Sequence, residues 1–233
     1  MSTLENIKGW ILSEALHSAR VLRVDTLEGC LRHIVIGSEA ITTLGGYSPG
    51  MELAVYVDGA TQRLRRKYSV FRFRPEQGEI ELLIYLHGQG PGSRWAAQLR
   101  PGDTLWFRGF TGRITLDTAA ARHWFLGDET TLAPFAAMVA AAQTPCEGVI
   151  EGDARLPALL DQLWLPFTAV SRRTGQDSTL INIARTLDLP AATSIYVAGA
   201  APTVAAVHHV LARERRIDSA QIRRKNFWGD KRR

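Results

Sequence analysis

The pattern of apolar and polar residues changes once along the chain. From Ala19 to about Asp117, short runs with strand-like alternation are separated by turns rich in Gly and Pro. The predicted strands are Ala19 to Thr26, Leu31 to Ile36, Glu52 to Val57, Tyr68 to Phe73, Ile80 to Leu86 and Thr104 to Gly109. Short strands at this spacing are typical of a small antiparallel barrel.

After Asp117 strands alternate with helices, which predicts a parallel α/β sheet whose ligands bind at the carboxyl ends of its strands. The predicted strands are Arg122 to Leu126, Gly148 to Glu151, Phe167 to Ser171, Ser194 to Ala198 and Gln221 to Phe227. The predicted helices are Thr130 to Gln143, Leu156 to Leu163, Ser178 to Leu187 and Pro202 to Arg215. The fold class is therefore a two-domain β plus α/β protein, an N-terminal antiparallel β-barrel followed by a parallel α/β domain.

The expected domains are an N-terminal helical segment over 1–18, the barrel over 19–118 and the α/β domain over 119–233. Apolar residues at helical spacing predict an amphipathic helix over 3–17. They are Leu4, Ile7, Ile11, Leu12 and Ala15. This helix carries no recognisable chemistry.

The composition, 45% apolar in 233 residues, is sufficient for real hydrophobic cores. The sequence contains neither a run of about 18 apolar residues nor a signal-peptide pattern, so we expect a soluble cytoplasmic protein without a membrane partner. Cys30 and Cys146 lie far apart without metal-ligand spacing. We expect them to be reduced core residues, with no metal cluster bound by this chain alone.

Arg66, Tyr68 and Ser69 bring a cation, an aromatic ring and a hydroxyl together on one predicted strand. Arg can clamp a phosphate, Tyr can cover a flat ring and Ser can hydrogen-bond the edge of that ring. Strict alternation places Tyr68 and Val70 on one face, and Ser69 and Phe73 on the other. The combination suits a flavin nucleotide, and the alternative is an ordinary edge strand with a solvated cation.

A glycine-rich turn from His87 to Ser93 leaves the strand that ends at Leu86 and opens a short helix, predicted from Ser93 to Leu99. Glycines let backbone N–H groups approach a diphosphate, and a helix N-terminus adds a favourable dipole. The alternative is a plain connection between a strand and a helix.

Four motifs occur in a fixed order along the chain. They are Arg66-x-Tyr-Ser, His87-Gly-x-Gly-Pro-Gly-Ser-Arg-Trp-Ala, Arg100-Pro-Gly-Asp-Thr and Gly127-Asp-Glu-Thr-Thr-Leu-Ala-Pro. This order resembles the siderophore-interacting proteins, which are FAD-dependent ferric-siderophore reductases built on the ferredoxin reductase plan. The likeness runs from about Val21 to Trp228, and it implies an FAD-binding barrel and an NAD(P)-binding α/β domain.

The resemblance implies that Arg66 binds a flavin phosphate, that Tyr68 stacks on the flavin ring and that Ser69 lies by its reactive nitrogen. The other residues expected at the flavin are Val70, His87, Gly90, Gly92 and Ser93.

In the α/β domain the nicotinamide nucleotide is expected at two turns, each at a strand end that precedes a helix. The residues of these turns are Gly127, Asp128, Glu129 and Thr130, and Gly199 and Ala200. The family usually has Gly-Glu where this chain has Gly199-Ala200, and a Gly-x-Gly-x-x-Gly fingerprint is absent. Arg172 and Arg173 could meet the extra phosphate of NADPH, although exposed arginines after a strand are more often solvated.

Trp228 resembles a family aromatic near the C-terminus. It is expected to cover the adenine end of the flavin or to line the mouth of a pocket, and packing between domains is the alternative.

The formal net charge of +5 comes from the C-terminal tail, because residues 223–233 carry six cations and one acid. This tail is either a solvated end or an attractor for an anionic siderophore or nucleotide phosphate. A nucleic-acid partner is not expected, since no binding motif accompanies the cations.

The function expected from the resemblance is electron transfer from NAD(P)H through FAD to a ferric siderophore, which releases Fe(II). The alternatives are a flavin reductase serving ferredoxin or another redox partner, and a siderophore-binding protein without catalysis. No Ser-His-Asp arrangement or carboxylate pair supports hydrolysis.

Overall fold

The computed structural model describes residues 15–58, 63–112, 114–172, 178–190 and 192–229. The chain divides into two compact units, the first ending at Thr115 and the second beginning at Leu116. In the part of the chain so described, no helix is long and apolar enough to span a membrane.

The first unit is a closed barrel of six strands, each antiparallel to both of its neighbours. The strands are β1 (His17–Leu27), β2 (Leu31–Gly37), β3 (Glu52–Asp58), β4 (Arg63–Arg74), β5 (Glu79–Tyr85) and β6 (Thr104–Thr111). They close in the order β1-β2-β5-β4-β3-β6, which leaves the barrel without an open edge. The predicted antiparallel barrel is confirmed.

The amphipathic helix expected over 3–17 falls mostly outside the described residues. Its predicted end is wrong, because His17 already pairs with Phe107 of β6 and begins β1. Ladder hydrogen bonds to β6 decide the conformation at this position, which the apolar spacing alone could not reveal.

A bulge in β4 changes which residues face the barrel core. Tyr68 and Val70 face the core, and the register to β5 then shifts between Val70 and Arg72. Phe73 consequently packs against the core as well, whereas strict alternation had placed it on the face of Ser69. A bulge inserts one extra residue, so the faces exchange beyond it.

One α-helix, α1 (Pro91–Gln98), follows β5. It begins two residues before the predicted start at Ser93, since Pro91 has no N–H to satisfy and suits the first helical turn.

The second unit contains a parallel sheet in the order β11-β10-β7-β8-β9. Its strands are β7 (Arg122–Asp128), β8 (Cys146–Gly152), β9 (Phe167–Ser171), β10 (Thr193–Ala200) and β11 (Ile222–Trp228). The helices are α2 (Leu132–Ala141), α3 (Leu156–Gln162), α4 (Thr179–Thr186) and α5 (Ala201–His209), which continues as a π-helical turn over Val210–Glu214. The predicted parallel α/β architecture is confirmed, and the carboxyl ends of its strands share one edge.

A polar cluster lies at the opposite, amino-terminal edge of this sheet. The Asp117 carboxylate accepts hydrogen bonds from Ser194 Oγ at 2.7 Å and Arg223 Nη2 at 2.9 Å, and its backbone N–H donates to Tyr196 Oη at 2.8 Å. The bonds from Ser194 and Arg223 lower the pKa of Asp117 to about 2. This cluster joins the segment before β7 to β10 and β11.

We expect acid to destabilise the second unit between about pH 4 and pH 2 through Asp117. Because the pKa of Asp117 is lower in the folded chain than in the unfolded chain, its ionised form stabilises the fold above that range, and this stabilisation is lost as the pH falls through it. The free energy of unfolding measured against pH should drop here by on the order of 2 kcal/mol, a step that Asp117→Asn removes. An equally steep drop in the variant would contradict the assignment of this step to Asp117.

A second group, His123, also affects stability in acid. Burial lowers the pKa of His123, so a separate loss of stability that begins below about pH 6.5 should occur in the wild type and in Asp117→Asn alike.

Candidate functional site

Predicted flavin-site residues from β4 and from the glycine-rich turn meet at the start of α1. A Cβ atom added to Gly92 would lie 2.6 Å from Tyr68 Oη and 3.9 Å from Arg66 Cγ. Glycine therefore allows the first turn of α1 to approach these two side chains more closely than any other residue would.

Tyr68 is mostly buried, and its ring stacks on Trp95 of α1 with centroids 5.5 Å apart and planes inclined by 17°. Its hydroxyl is buried, with no hydrogen-bond partner among the described residues. Burial raises the pKa of Tyr68, and the positive charge of Arg66 opposes that shift. A buried hydroxyl that lacks a partner costs free energy, so this atom is a candidate for satisfaction by a ligand.

Arg66 is half-buried, and its guanidinium donates a hydrogen bond to the Arg65 carbonyl at 3.1 Å. It forms no ion pair with any residue that the structure describes. The next residue, Lys67, is exposed on the opposite face of the strand, where its Nζ lies 3.5 Å from Thr111 Oγ1. The cation of Arg66 thus lies beside Tyr68 and Gly92, whereas the cation of Lys67 points to the other side of β4.

Ser69 and Val70 are less accessible than their neighbour Tyr68. Ser69 is buried and lies opposite Glu52 of β3. Val70 is fully buried in the barrel core, so only its main chain could reach a cofactor.

The glycine-rich turn is closed by its own hydrogen bonds. Ser93 Oγ donates to the His87 carbonyl at 2.8 Å, so the hydroxyl proton of Ser93 is used in a hydrogen bond within the turn. Gly90 immediately precedes α1 without a side-chain cap. An uncapped helix N-terminus favours an anion, which is compatible with a diphosphate at this turn.

The barrel site thus fits a flavin nucleotide on three observations. Among the described residues, the buried Tyr68 hydroxyl has no hydrogen-bond partner, Gly92 lets the first turn of α1 approach that hydroxyl closely, and Arg66 lies beside both without an ion pair. Together they suit a ligand with a phosphate and a flat ring.

In the second unit a cavity of about 220 Å³ lies at the carboxyl edge of the sheet. It is lined by ends of four strands and by the start of α5. The lining residues are Gly127, Asp128, Glu151, Arg172, Leu180, Ala198, Ala200, Pro202, Thr203, Trp228 and Gly229. Three of the six residues predicted at the two turns, Gly127, Asp128 and Ala200, therefore line one cavity, together with Arg172 and Trp228.

Asp128 joins three strand ends at this cavity. Its Oδ2 accepts hydrogen bonds from the Ala200 N–H and Trp228 Nε1, both at 2.9 Å, and its Oδ1 accepts from the Thr130 N–H at 3.0 Å and Thr130 Oγ1 at 2.5 Å. A Cβ on Gly199, whose φ is +122°, would lie only 2.4 Å from Asp128 Oδ2. Asp128 therefore holds the cavity wall together, with its lone pairs occupied by protein donors.

Arg172 is held in place at the cavity. It forms an ion pair with Glu129, which is buried, and its guanidinium carbon lies 5.8 Å from the centroid of the Trp228 ring. Glu129 also accepts a hydrogen bond from the Asp153 N–H at 3.2 Å. The expectation of a merely solvated arginine thus does not describe Arg172, and Arg173 lies outside the described residues.

Glu151 is a cavity residue that the sequence analysis missed. It lies in register with Asp128 on the neighbouring strand and is buried. Burial raises its pKa, while hydrogen bonds from Ser178 Oγ and from the Thr179 and Leu180 N–H groups at the start of α4 oppose that shift. The available signal was an acidic residue near the carboxyl end of a predicted parallel strand, as at Asp128.

The lining of this cavity suits a nucleotide. Ala198, Ala200, Pro202 and Trp228 offer small apolar and aromatic surface for a flat ring, and Arg172 offers a partly exposed cation. Ligands of parallel α/β sheets bind at this edge.

Comparison with known protein families gives two matches that together cover most of the chain. The profile described as siderophore-interacting FAD-binding domain matches residues 44–114, and the profile described as siderophore-interacting protein matches residues 120–231. No curated protein sequence matches at a significant level.

The chain is similar in fold to solved siderophore-interacting proteins. The protein SipS from Aeromonas hydrophila aligns at 19% identity with a TM-score of 0.76, covering 93% of this chain and 99% of SipS. A siderophore utilization protein from T. fusca aligns at 19% identity with a TM-score of 0.76, covering 92% of each chain.

A third similar structure is phthalate dioxygenase reductase, whose structure is described as modular for electron transfer from pyridine nucleotides to [2Fe-2S]. It aligns at 13% identity with a TM-score of 0.72, covering 91% of this chain and 68% of the reductase. The fold is thus ferredoxin reductase-like, and with both family profiles matched in order, the chain belongs to the siderophore-interacting protein family.

Proposed function

We propose that this protein is an FAD-dependent ferric-siderophore reductase that takes electrons from NAD(P)H and releases Fe(II) from the siderophore in the cytoplasm. Family membership supports a flavin-dependent, siderophore-related redox role. The observation that carries the proposal is the buried Tyr68 hydroxyl, which has no hydrogen-bond partner among the residues that the structure describes and lies beside Gly92 and Arg66 within the matched FAD-binding domain.

Bound FAD would supply hydride acceptance and single-electron release, which ordinary side chains cannot provide. Arg66 would hold a phosphate, and the Gly92 main chain and the start of α1 would hold the adjoining diphosphate. Tyr68 would cover the ring, with its hydroxyl satisfied by the cofactor, and Ser69 would lie beside it. His87, Gly90 and Ser93 would shape the turn around the diphosphate.

In the second unit the nucleotide would occupy the cavity at the carboxyl edge of the sheet. Trp228 and Ala200 would flank its ring, and Arg172 would attract its phosphate. Gly127, Asp128, Glu129, Thr130 and Gly199 would shape the wall that holds these groups. One NAD(P)H supplies two electrons, which reduce two ferric ions, and the siderophore then binds the resulting Fe(II) far more weakly.

The visible spectrum of the purified protein tests this proposal first. We expect uptake of FAD with flavin absorption bands, bleaching on anaerobic addition of NADH or NADPH, and rapid return of the bands when a ferric siderophore is added. A protein that binds no FAD would refute the proposal. Reoxidation by the siderophore that is no faster than by a free Fe(III) control would leave a flavin reductase with another acceptor.

A ferredoxin or another redox partner as electron donor is the second candidate, and Ala200 favours it. The resemblance to the family implies Glu at this position, whereas the Ala200 side chain offers no polar group and its N–H already donates to Asp128. Bleaching of the flavin by reduced ferredoxin, combined with no bleaching by either nicotinamide nucleotide, would support this alternative.

A further inference from the structure

Trp95 is the aromatic residue of α1 that stacks on Tyr68, and none of the site roles described above includes it. The two rings stack at 5.5 Å with an inclination of 17°, and Trp95 also packs against the barrel core. An offset stack of this kind stabilises a defined mutual orientation of two rings.

The tyrosine ring is held at two points. Trp95 covers one of its faces, and the main chain at Gly92 abuts its hydroxyl end, since a Cβ there would lie 2.6 Å from Oη. Both contacts come from α1, so the position of this helix determines the position and plane of the Tyr68 ring.

The helix that carries Trp95 is itself anchored to the barrel. Arg32 of β2 donates from Nε to the Ala96 carbonyl at 3.2 Å and from Nη2 to the Leu99 carbonyl at 2.7 Å. Ala96 is fully buried under the helix. Trp95 is therefore fixed relative to β2 as well as to β4.

We propose that Trp95 is a positioning residue of the flavin site, which fixes the plane of Tyr68 and through it the placement of the bound flavin ring. This inference rests on the proposed function, because it assumes that Tyr68 meets FAD. Trp95 acts through Tyr68, so its contribution should vanish when the Tyr68 ring is removed.

A double-mutant cycle with Trp95→Leu and Tyr68→Leu tests this. We expect Trp95→Leu to weaken FAD binding by roughly 2- to 10-fold and to shift the visible bands of the bound flavin, since the aromatic stack is lost. In the Tyr68→Leu background the same change should alter affinity by less than about 2-fold. FAD affinity is measured by flavin-fluorescence titration.

Two further variants serve as controls. Trp95→Phe keeps a ring at this position and should retain most of the affinity and the wild-type bands. Trp106→Leu removes a tryptophan that is 36% exposed on the same barrel, and it should change neither readout. If Trp95→Leu does not fold, Trp95→Met, which fills a similar space without a ring, takes its place in the cycle.

Failure of the inference and failure of the proposed function are distinguishable. A wild-type protein that binds no FAD refutes the proposed function. If the wild type binds FAD and Trp95→Leu has the same affinity and bands, the inference is wrong and the proposed function stands. A Trp95→Leu effect of equal size with and without Tyr68 would also overturn it, because Trp95 would then act on the fold in general.

Discussion

Arg66→Ala is expected to weaken FAD binding by about 10- to 150-fold, because a charge-assisted contact to phosphate of roughly 1.5–3 kcal/mol is lost. The fold should survive this change. Arg66 is only half-buried, and the hydrogen bond of its guanidinium to the Arg65 carbonyl is local. Flavin-fluorescence titration gives the affinity, and thermal unfolding of the apoprotein checks the fold.

Lys67→Ala is the matched control, since it removes a cation from the next position of β4. The Lys67 side chain is exposed on the opposite face of the strand from Arg66. Arg65, also exposed, offers a second control. An equal loss of affinity in Lys67→Ala would show that general positive charge, rather than a contact of Arg66, binds the cofactor.

Gly199→Ala is expected to destabilise the second unit by about 3–5 kcal/mol. The φ of +122° at this position is strained for any residue with a side chain, and the new methyl group would lie 2.4 Å from Asp128 Oδ2. Displacing this buried carboxylate breaks its hydrogen bonds to the Ala200 N–H and Trp228 Nε1. Urea unfolding of the full chain measures the loss.

Gly229→Ala separates the clash from the backbone strain. Gly229 also has a positive φ, +75°, but an added Cβ would meet its nearest neighbour, Pro202 Cδ, at an ordinary 3.5 Å. We expect a loss of only about 1 kcal/mol from the left-handed backbone. A loss as large as that of Gly199→Ala would mean that contact with Asp128 is not the cause.

Local patterns along the chain were enough to predict the architecture of both units. Alternation with period two and regular turn residues predicted the barrel, and the alternation of strands with helices predicted the parallel sheet. These signals are local because an amphipathic strand or helix repeats over a few residues. The predicted helical end at His17 and the face of Phe73 were wrong because a ladder partner and a bulge decide them.

For the candidate sites, the sequence motifs predicted which residues take part, and the structure showed which of those residues lie close together. Arg66 and Gly92 were both expected at a flavin, but only the packing of α1 on β4 places them beside the Tyr68 hydroxyl. Glu151 escaped notice, since its burial and its bonds to Ser178 and the start of α4 depend on segments distant in sequence.

The sequence by itself determined the two-domain class, the order of strands and helices, and the glycine turns that allow close approach of the backbone. Only the tertiary structure decided which side chains meet. Asp128 receives the Trp228 indole N–H from one hundred residues further along the chain, and Trp95 stacks on Tyr68 across two elements. Such contacts depend on how the elements pack in space, and a pattern that repeats over a few residues carries no information about partners so far apart.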